Sequence, residues 1–258
     1  MTTELHRPTC RVLDLLESLA SSENKMTLTE LSRALSSPAS SLTPFVKTLL
    51  SRGYLELDPH TMRYGLSPKC LLFSAGFSNN SDSYAFVLDV IKETGQRCLE
   101  TCQIGILQGG NVLYVGKVDS PEPLRLVSSV GKNVPATCTA IGKALLCQHS
   151  RQNILDLYPG GLPTLTTSSI TDVDAISAQL AEIAKGGYAH EANESLDYLR
   201  CFALPIRFSG RIDSAISISI PEFRLNNEKQ KIILDCLSAA QQKIESHFKQ
   251  IGRGLSIL

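Results

Sequence analysis

Apolar side chains in the first 66 residues recur at the spacing of short helices with one buried face. Residues 10–20 show this pattern, and after a polar gap residues 27–30 fit the T-x-x-E capping box of a second helix. A third helix is predicted to start with Ser37 as its N-cap and the following proline as its first residue, and to stop before Gly53. The pattern therefore predicts three short helices in succession.

Two strand-like runs follow the third helix, YLEL at 54–57 and MRYGL at 62–66, around a turn at 58–61. Three helices and a β-hairpin are the pattern of a winged helix-turn-helix, whose third helix enters the DNA major groove while the hairpin contacts the backbone or the minor groove. We therefore predict a DNA-binding domain. The residues that we expect to contact DNA are Thr27, Ser40, Ser41, Thr43, Lys47, His60 and Arg63.

The charge distribution leaves a second interpretation open. The chain has 25 basic and 25 acidic residues, and residues 1–77 contain eight basic and seven acidic residues. Because bulk charge supplies no attraction to nucleic acid, DNA binding has to come from a local, shaped surface. A winged helix that binds another protein, without recognising a DNA sequence, remains the alternative.

From residue 84 onwards the pattern changes to strands at both ends with helices between them, which indicates an α+β domain built on an antiparallel sheet. The predicted strands cover residues 98–107, 112–119, 124–130, 200–208 and 214–221. The predicted helices cover residues 84–95, 141–149, 172–185 and 226–249. Gly109-Gly110 and Ser209-Gly210 suit the tight turns of two hairpins.

One predicted helix offers an anion-binding end. Thr139 can cap the helix AIGKALL, which leaves the N–H groups of Ala140, Ile141 and Gly142 in its first turn. A helix N-terminus of this kind binds a carboxylate readily. We therefore expect a small acid to bind here.

Both halves of the chain resemble the IclR family of bacterial transcription regulators. The N-terminal blocks that carry the resemblance are RVLDLLESLA, TLTELSRAL, SSLTPFVKTLLSRGYLELD and RYGLSPKCLLFSAG. The later blocks are SPEPLRLVSSVGKNVPATCTAIGKALL, SITDVDAISAQLAEIAKGGYA and ESLDYLRCFALPIRFSGRIDSAISISIP. They follow one another in order over nearly the whole chain, and the C-terminal blocks are not general features of helix-turn-helix proteins.

The resemblance implies a winged helix-turn-helix joined to an effector-binding domain of GAF-like fold, in a homodimer or homotetramer that controls catabolic genes. It also implies further residues around the expected anion site: Leu126, Val134, Glu191, Cys201, Ser217 and Ser219. An acid, a thiol and two hydroxyls suit a small hydroxylated or keto acid, of organic or sugar origin. Each of the polar residues also has an interpretation without a ligand. The two serines could be solvated strand positions, the Cys201 thiol could be part of the core, and Glu191 could lie in a surface loop.

Two residues depart from the family's pattern. Pro44 stands in the recognition helix where a basic residue is common, and it cannot donate an N–H to the Ser40 carbonyl, so a kink or a later helix start is expected. Tyr198 stands where a glycine often precedes the L-R-C run, which affects the local turn and the volume of the pocket.

Enzymatic and metal-binding classes find little support in the sequence. It has no G-x-S-x-G, P-loop or H-E-x-x-H motif and no clustered Cys and His of a zinc site, so we expect neither catalysis nor a cofactor. The eight Cys include no CxxC pair, and Cys98 and Cys102 are predicted to share one strand face. No signal peptide or membrane span is recognisable, which favours a cytoplasmic protein with reduced thiols.

The sequence thus predicts residues 1–66 as the DNA-binding domain, 67–83 as a linker helix and hinge, and 84–258 as the effector-binding domain. The expected function is a ligand-responsive transcriptional regulator, a repressor of a catabolic operon. The alternatives are a GAF-like sensor or redox enzyme, or an interaction module, without sequence-specific DNA binding.

Overall fold

The chain divides into two compact units, residues 1–80 and 81–258. The computed structural model describes residues 5–22, 24–79, 82–126 and 128–255. The predicted linker helix and hinge, residues 67–83, spans the division, and its residues 80 and 81 lie outside the described residues. Within the described ranges, no helix is both long enough and apolar enough to cross a membrane.

The first unit is a winged helix-turn-helix, as predicted. Its helices are α1 (Arg7–Ser21), α2 (Leu28–Ala34), α3 (Ala39–Ser51) and α4 (Leu71–Asn79). Its strands, antiparallel in the order β1-β3-β2, are β1 (Met26–Thr27), β2 (Leu55–Asp58) and β3 (Arg63–Leu66). The core that fixes the three helices consists of Leu15, Leu19, Leu31, Leu42, Val46, Leu49 and Leu55. The sequence did not reveal β1, because two residues are too few to show a period of two.

The predicted start of α2 is confirmed and that of α3 is wrong. Thr27 accepts the Glu30 N–H at 3.2 Å and donates its own N–H to the Glu30 carboxylate at 2.7 Å, which completes the capping box. The N-cap of α3 is Pro38, because the Ser37 hydroxyl points back and donates to the Leu35 carbonyl at 3.0 Å.

Pro44 lies inside α3, on its exposed side, and the helix runs without a break from Ala39 to Ser51. The expected later start is therefore wrong. Proline so close to the helix N-terminus removes only one early backbone bond, to the Ser40 carbonyl. The buried face holds the helix in place through Leu42, Val46 and Leu49.

The second unit is an α+β domain with a six-stranded antiparallel sheet, which confirms the predicted fold class. In the order β6-β5-β4-β9-β8-β7, its strands are β4 (Thr101–Gln108), β5 (Asn111–Val118), β6 (Asn133–Pro135), β7 (Ala189–Ala192), β8 (Leu199–Phe208) and β9 (Arg211–Pro221). Its helices are α5 (Asp82–Cys98), α6 (Ala140–Leu146), α7 (Arg151–Leu157), α8 (Val173–Ala184) and α9 (Asn227–Ile251). Gly109 and Gly110 both have positive φ, at 52° and 84°, as a two-residue hairpin turn of type I′ requires.

Helices cover both faces of this sheet. The α5 and α9 helices pack on one face, where Ile218 and Leu204 point, and α6, α7 and α8 pack on the other, where Ala203 and Ala215 point. Strands buried on both sides explain why β8 and β9 read as nearly continuous apolar runs. The Ser217 side chain therefore faces the α6 layer and is not solvated.

Several predicted boundaries are wrong in this unit. Helix α5 continues through Gly95 to Cys98, so Cys98 ends a helix and does not share a strand face with Cys102. Gly95 is retained for packing, since an added Cβ would lie 3.1 Å from Val118. Residues 124–130, predicted as a strand, form none in their described part, 124–126 and 128–130. Strand β7 and helix α7 were missed, because four and seven residues show little periodicity.

Candidate functional sites

The candidate DNA-reading surface is the outer side of α3. Ser40 and Lys47 are exposed, while Ser41 and Thr43 are partly exposed. Lys47 has no ion-pair or hydrogen-bond partner among the described residues, so its ammonium group is free to meet a phosphate. These four predicted residues are therefore brought together on one element.

Two of the hydroxyls on this surface are already engaged as donors. Ser41 donates to the Pro38 carbonyl at 2.7 Å, and Thr43 donates to the Ala39 carbonyl at 2.8 Å. Their oxygen lone pairs remain available, so both side chains present acceptors to a ligand.

The predicted tip residue His60 lies in the turn between β2 and β3 and is exposed. The turn is held by Asp58, whose carboxylate accepts the His60 N–H at 2.9 Å and the Thr61 N–H at 3.3 Å. These bonds fix the backbone of the tip, and they lower the pKa of Asp58 below its ordinary value.

Arg63 is held at the base of the wing. Its guanidinium donates to both carboxylate oxygens of Glu30, at 2.9 and 3.0 Å, and to the Lys25 carbonyl at 2.6 Å. Glu30 also binds Thr27, so these residues join the wing to the start of α2. Thr27 thus has the capping role that the sequence predicted, while the structural role of Arg63 was not indicated by the sequence. DNA contacts by both residues remain a prediction.

The candidate effector site is a cavity of about 390 Å³ in the second unit, a size suited to a small molecule. Its walls come from the sheet, α6 and the segments before β6 and β8. Predicted residues that line the cavity are Leu126, Val134, Ala140, Ile141, Cys201, Ser217 and Ser219. Lining residues that the predicted set lacked are Tyr114, Ser128, Lys132, Asn133, Pro135, Thr139, Leu165, Ser195, Leu196 and Leu199.

Gly142 does not line the cavity, which corrects the prediction. Thr139 caps α6 by accepting the Gly142 N–H at 3.1 Å, so only Ala140 and Ile141 keep N–H groups that have no intrahelical acceptor. A Cβ on Gly142 would lie 2.1 Å from the Ala136 carbonyl oxygen, which shows that the glycine serves backbone packing.

Glu191 is not a lining residue either, although it lies directly behind the cavity wall. Its side chain is buried on β7, where it accepts from the Ser195 hydroxyl at 2.8 Å, the Cys201 thiol at 3.1 Å and the Glu194 N–H at 2.9 Å. Burial raises the pKa of Glu191 above its ordinary value, and these hydrogen bonds oppose the rise. The surface-loop interpretation is therefore wrong, and Glu191 orients two residues of the wall.

Cys201 lines the cavity as a thiol. Burial, followed by the negative charge of Glu191, raises its pKa well above the ordinary value. Its sulfur lies 3.1 Å from the Ser219 hydroxyl. A nucleophilic cysteine needs a lowered pKa, so this geometry does not support a thiolate nucleophile.

A buried ion pair between Lys143 and Glu194 holds the turn that carries Ser195. Lys143 of α6 is fully buried, and its ammonium group donates to Glu194 at 2.7 Å and to the His190 carbonyl at 3.1 Å. This pair ties α6, which lines the cavity, to the turn after β7 that carries Ser195.

Gln103 of β4 links the cavity floor to the segment that precedes β6. Its side-chain oxygen accepts from Ser219 at 3.4 Å, and its nitrogen donates to the Ser128 hydroxyl at 2.6 Å. Gln103 is itself buried, so these contacts orient two hydroxyls of the cavity wall. Sequence alone could not have identified it, because the pairing across the sheet is non-local.

Tyr198 adopts a backbone conformation that favours glycine. Its φ is 61°, in the left-handed region, and its side chain is 78% exposed. It does not line the cavity. The expected effect on the turn is therefore seen in its positive φ, and the expected effect on the volume of the cavity is wrong, because the Tyr198 side chain lies outside the lining.

Both units match models of known protein families. Residues 10–59 match the IclR helix-turn-helix domain, and residues 85–246 match the C-terminal domain of the bacterial transcriptional regulator IclR. The regulator KdgR of Escherichia coli K12 is 28% identical over 239 residues, which cover 92% of this chain and 90% of KdgR. The transcriptional repressor IclR of the same organism is 24% identical, with 85% and 81% coverage.

Solved structures share the fold. An IclR transcriptional regulator from Alicyclobacillus acidocaldarius has a TM-score of 0.84 at 22% identity, covering 94% of this chain and 99% of its own. An IclR homologue from Microbacterium hydrocarbonoxydans, complexed with 4-hydroxybenzoate, has a TM-score of 0.72 at 20% identity, with 92% and 99% coverage. Since the family models match more than half of the chain in the expected order, the chain belongs to the IclR family of ligand-responsive bacterial transcriptional regulators.

Proposed function

We propose that the chain binds a DNA operator through α3 and the wing, and that a small hydroxylated or keto acid in the cavity controls this binding. The observation that carries the proposal is a cavity that combines buried hydroxyls with a helix N-terminus in a chain that also has a winged helix-turn-helix. Repression of catabolic genes is the proposed outcome, supported by the repressor named among the relatives. The proposed setting is the cytoplasm, with the chain as a homodimer or homotetramer.

In the cavity, the acid's carboxylate binds the first-turn N–H groups of Ala140 and Ile141, because a helix N-terminus favours an anion. Hydroxyl or keto oxygens of the ligand bind Ser217 and Ser219 on the sheet side. Leu126, with its apolar neighbours, covers the carbon skeleton. The 4-hydroxybenzoate-bound homologue supports a small hydroxylated acid as the class of effector.

On DNA, α3 enters the major groove, with Ser40 and Lys47 as its free polar groups and Ser41 and Thr43 as acceptors. His60 reaches the backbone or the minor groove from the wing tip. The segment 67–83 joins the two units and transmits the effect of the ligand, which corresponds to a coupling free energy of about 1–3 kcal/mol.

The test of the effector site is Ser219→Ala. Removing this hydroxyl takes away one bond to the ligand, so the affinity for the acid falls by about tenfold while operator binding without ligand stays unchanged. Calorimetric titration with 2-oxogluconate, gluconate and 4-hydroxybenzoate measures the first quantity, and fluorescence anisotropy of labelled DNA measures the second.

Ser214→Ala is the matched control, because Ser214 lies buried on the same strand and does not line the cavity. It should bind the acids as the unmodified chain does. If Ser219→Ala also binds them with unchanged affinity, the assignment of the cavity is wrong.

A further inference from the structure

Tyr114 is a buried tyrosine on the sheet side of the cavity. It lies on β5, is 7% exposed and lines the cavity. Among the described residues, no group forms a hydrogen bond with its hydroxyl. The hydroxyls of Tyr84 and Tyr158, in contrast, donate to the carbonyls of Val115 and Gly110. Because tyrosine hydroxyls inside proteins usually find a partner, the Tyr114 hydroxyl is available to a molecule in the cavity that it lines.

The backbone holds Tyr114 in this position. Its N–H donates to the Lys132 carbonyl at 3.1 Å, and its carbonyl accepts from the Gly131 N–H at 2.8 Å. Tyr114 and Gly105 of β4 face each other across the sheet ladder, where an added Cβ on Gly105 would lie 2.7 Å from Val112. These contacts fix the backbone of Tyr114 on β5, from which its side chain lines the cavity.

The state of the hydroxyl follows from its surroundings. Burial raises the pKa of Tyr114 above its ordinary value, so the hydroxyl keeps its proton at neutral pH and offers a hydrogen-bond donor to the cavity. A ligand without an acceptor at this point would leave the donor unpaired, which costs binding free energy. The cavity therefore selects for ligands with an acceptor oxygen here.

We propose that the Tyr114 hydroxyl is a specificity-determining group that donates a hydrogen bond to a keto or carboxylate oxygen of the effector. This inference rests on the proposed function, because it names a further contact in the same cavity. It adds a donor fixed on β5 to the serines of β9 and the N–H groups of α6.

The test is Tyr114→Phe, which keeps the ring and removes the hydroxyl. The full chain is titrated with 2-oxogluconate, gluconate and 4-hydroxybenzoate, and the affinity for the acid that binds is expected to fall about tenfold or more. Melting of the ligand-free protein and DNA binding should not change. Tyr84→Phe is the matched control, because it removes a tyrosine hydroxyl that is bonded to the backbone outside the cavity lining and should leave the affinity as it was.

A second measurement observes the residue itself. Fluorotyrosine is incorporated, the Tyr114 resonance is assigned by its absence from Tyr114→Phe, and a shift of that resonance by one of the three acids is expected. Unchanged affinity in Tyr114→Phe, with weaker binding in Ser219→Ala, would overturn the inference and leave the proposed function standing. If none of the acids changes the melting temperature or moves the Tyr114 resonance, the inference and the choice of effector class both fail.

Discussion

At the scale of single residues, Lys47 is the most direct test of the DNA-reading surface. It is exposed on α3 with its charge unpaired in the described structure, so Lys47→Ala should remove about one phosphate contact. We expect weaker binding on every DNA sequence and a plot of log affinity against log salt whose slope becomes shallower by about 0.9. Anisotropy across a salt series measures both.

Lys69→Ala provides the comparison. Lys69 is also a cation of the first unit, but its ammonium group donates to the Arg52 carbonyl at 2.8 Å and lies 4.7 Å from the Tyr54 ring centre. Its removal should leave the salt slope as it is. An unchanged slope in Lys47→Ala would remove Lys47 from the phosphate contacts.

At the scale of elements, the buried pair of Lys143 and Glu194 joins α6 to the end of β7. Lys143→Ala should lower the free energy of unfolding of the second unit by about 3–5 kcal/mol, because the Glu194 charge would stay buried without its partner. The measurement is urea unfolding followed by circular dichroism. The double variant Lys143→Met with Glu194→Gln should recover much of the loss, and a single variant as stable as the unmodified chain would contradict this account.

The sequence predicted helix caps and a hairpin turn correctly where the conformation depends on one residue and its near neighbours. The Thr27 capping box, the Thr139 cap and the Gly109-Gly110 turn were correct, because each depends on neighbours within four positions. The prediction of Ser37 as the N-cap of α3 was wrong, although it also rested on near neighbours, because the Ser37 hydroxyl donates to the Leu35 carbonyl instead.

The site was predictable only in part, because its geometry depends on pairing between distant strands. Gln103 meets the predicted Ser219 through a contact that spans 116 positions, and Tyr114 reaches the same cavity from β5, which no local pattern reveals. The resemblance placed Glu191 in the pocket, but Glu191 does not line the cavity. Its place behind the wall follows from the pairing of Glu191 with Cys201 across β7 and β8.

At the scale of the whole molecule, we predict that two DNA-reading heads act together. A single winged helix without excess positive charge offers few phosphate contacts, so we expect a symmetric oligomer that pairs two heads to bind more tightly. Two recognition helices of a dimer then bind a near-palindromic site whose half-sites lie about 34–36 Å apart, or a multiple of that distance.

Sequence-specific operator binding is measured by titrating the full chain with fluorescent fragments of its own upstream intergenic DNA across a salt series. We expect nanomolar, saturable binding to one fragment, poor competition by random DNA and a footprint with two related half-sites. Weak binding that is equal on every fragment would contradict it, and Pro44 in α3 would then be the first residue to replace.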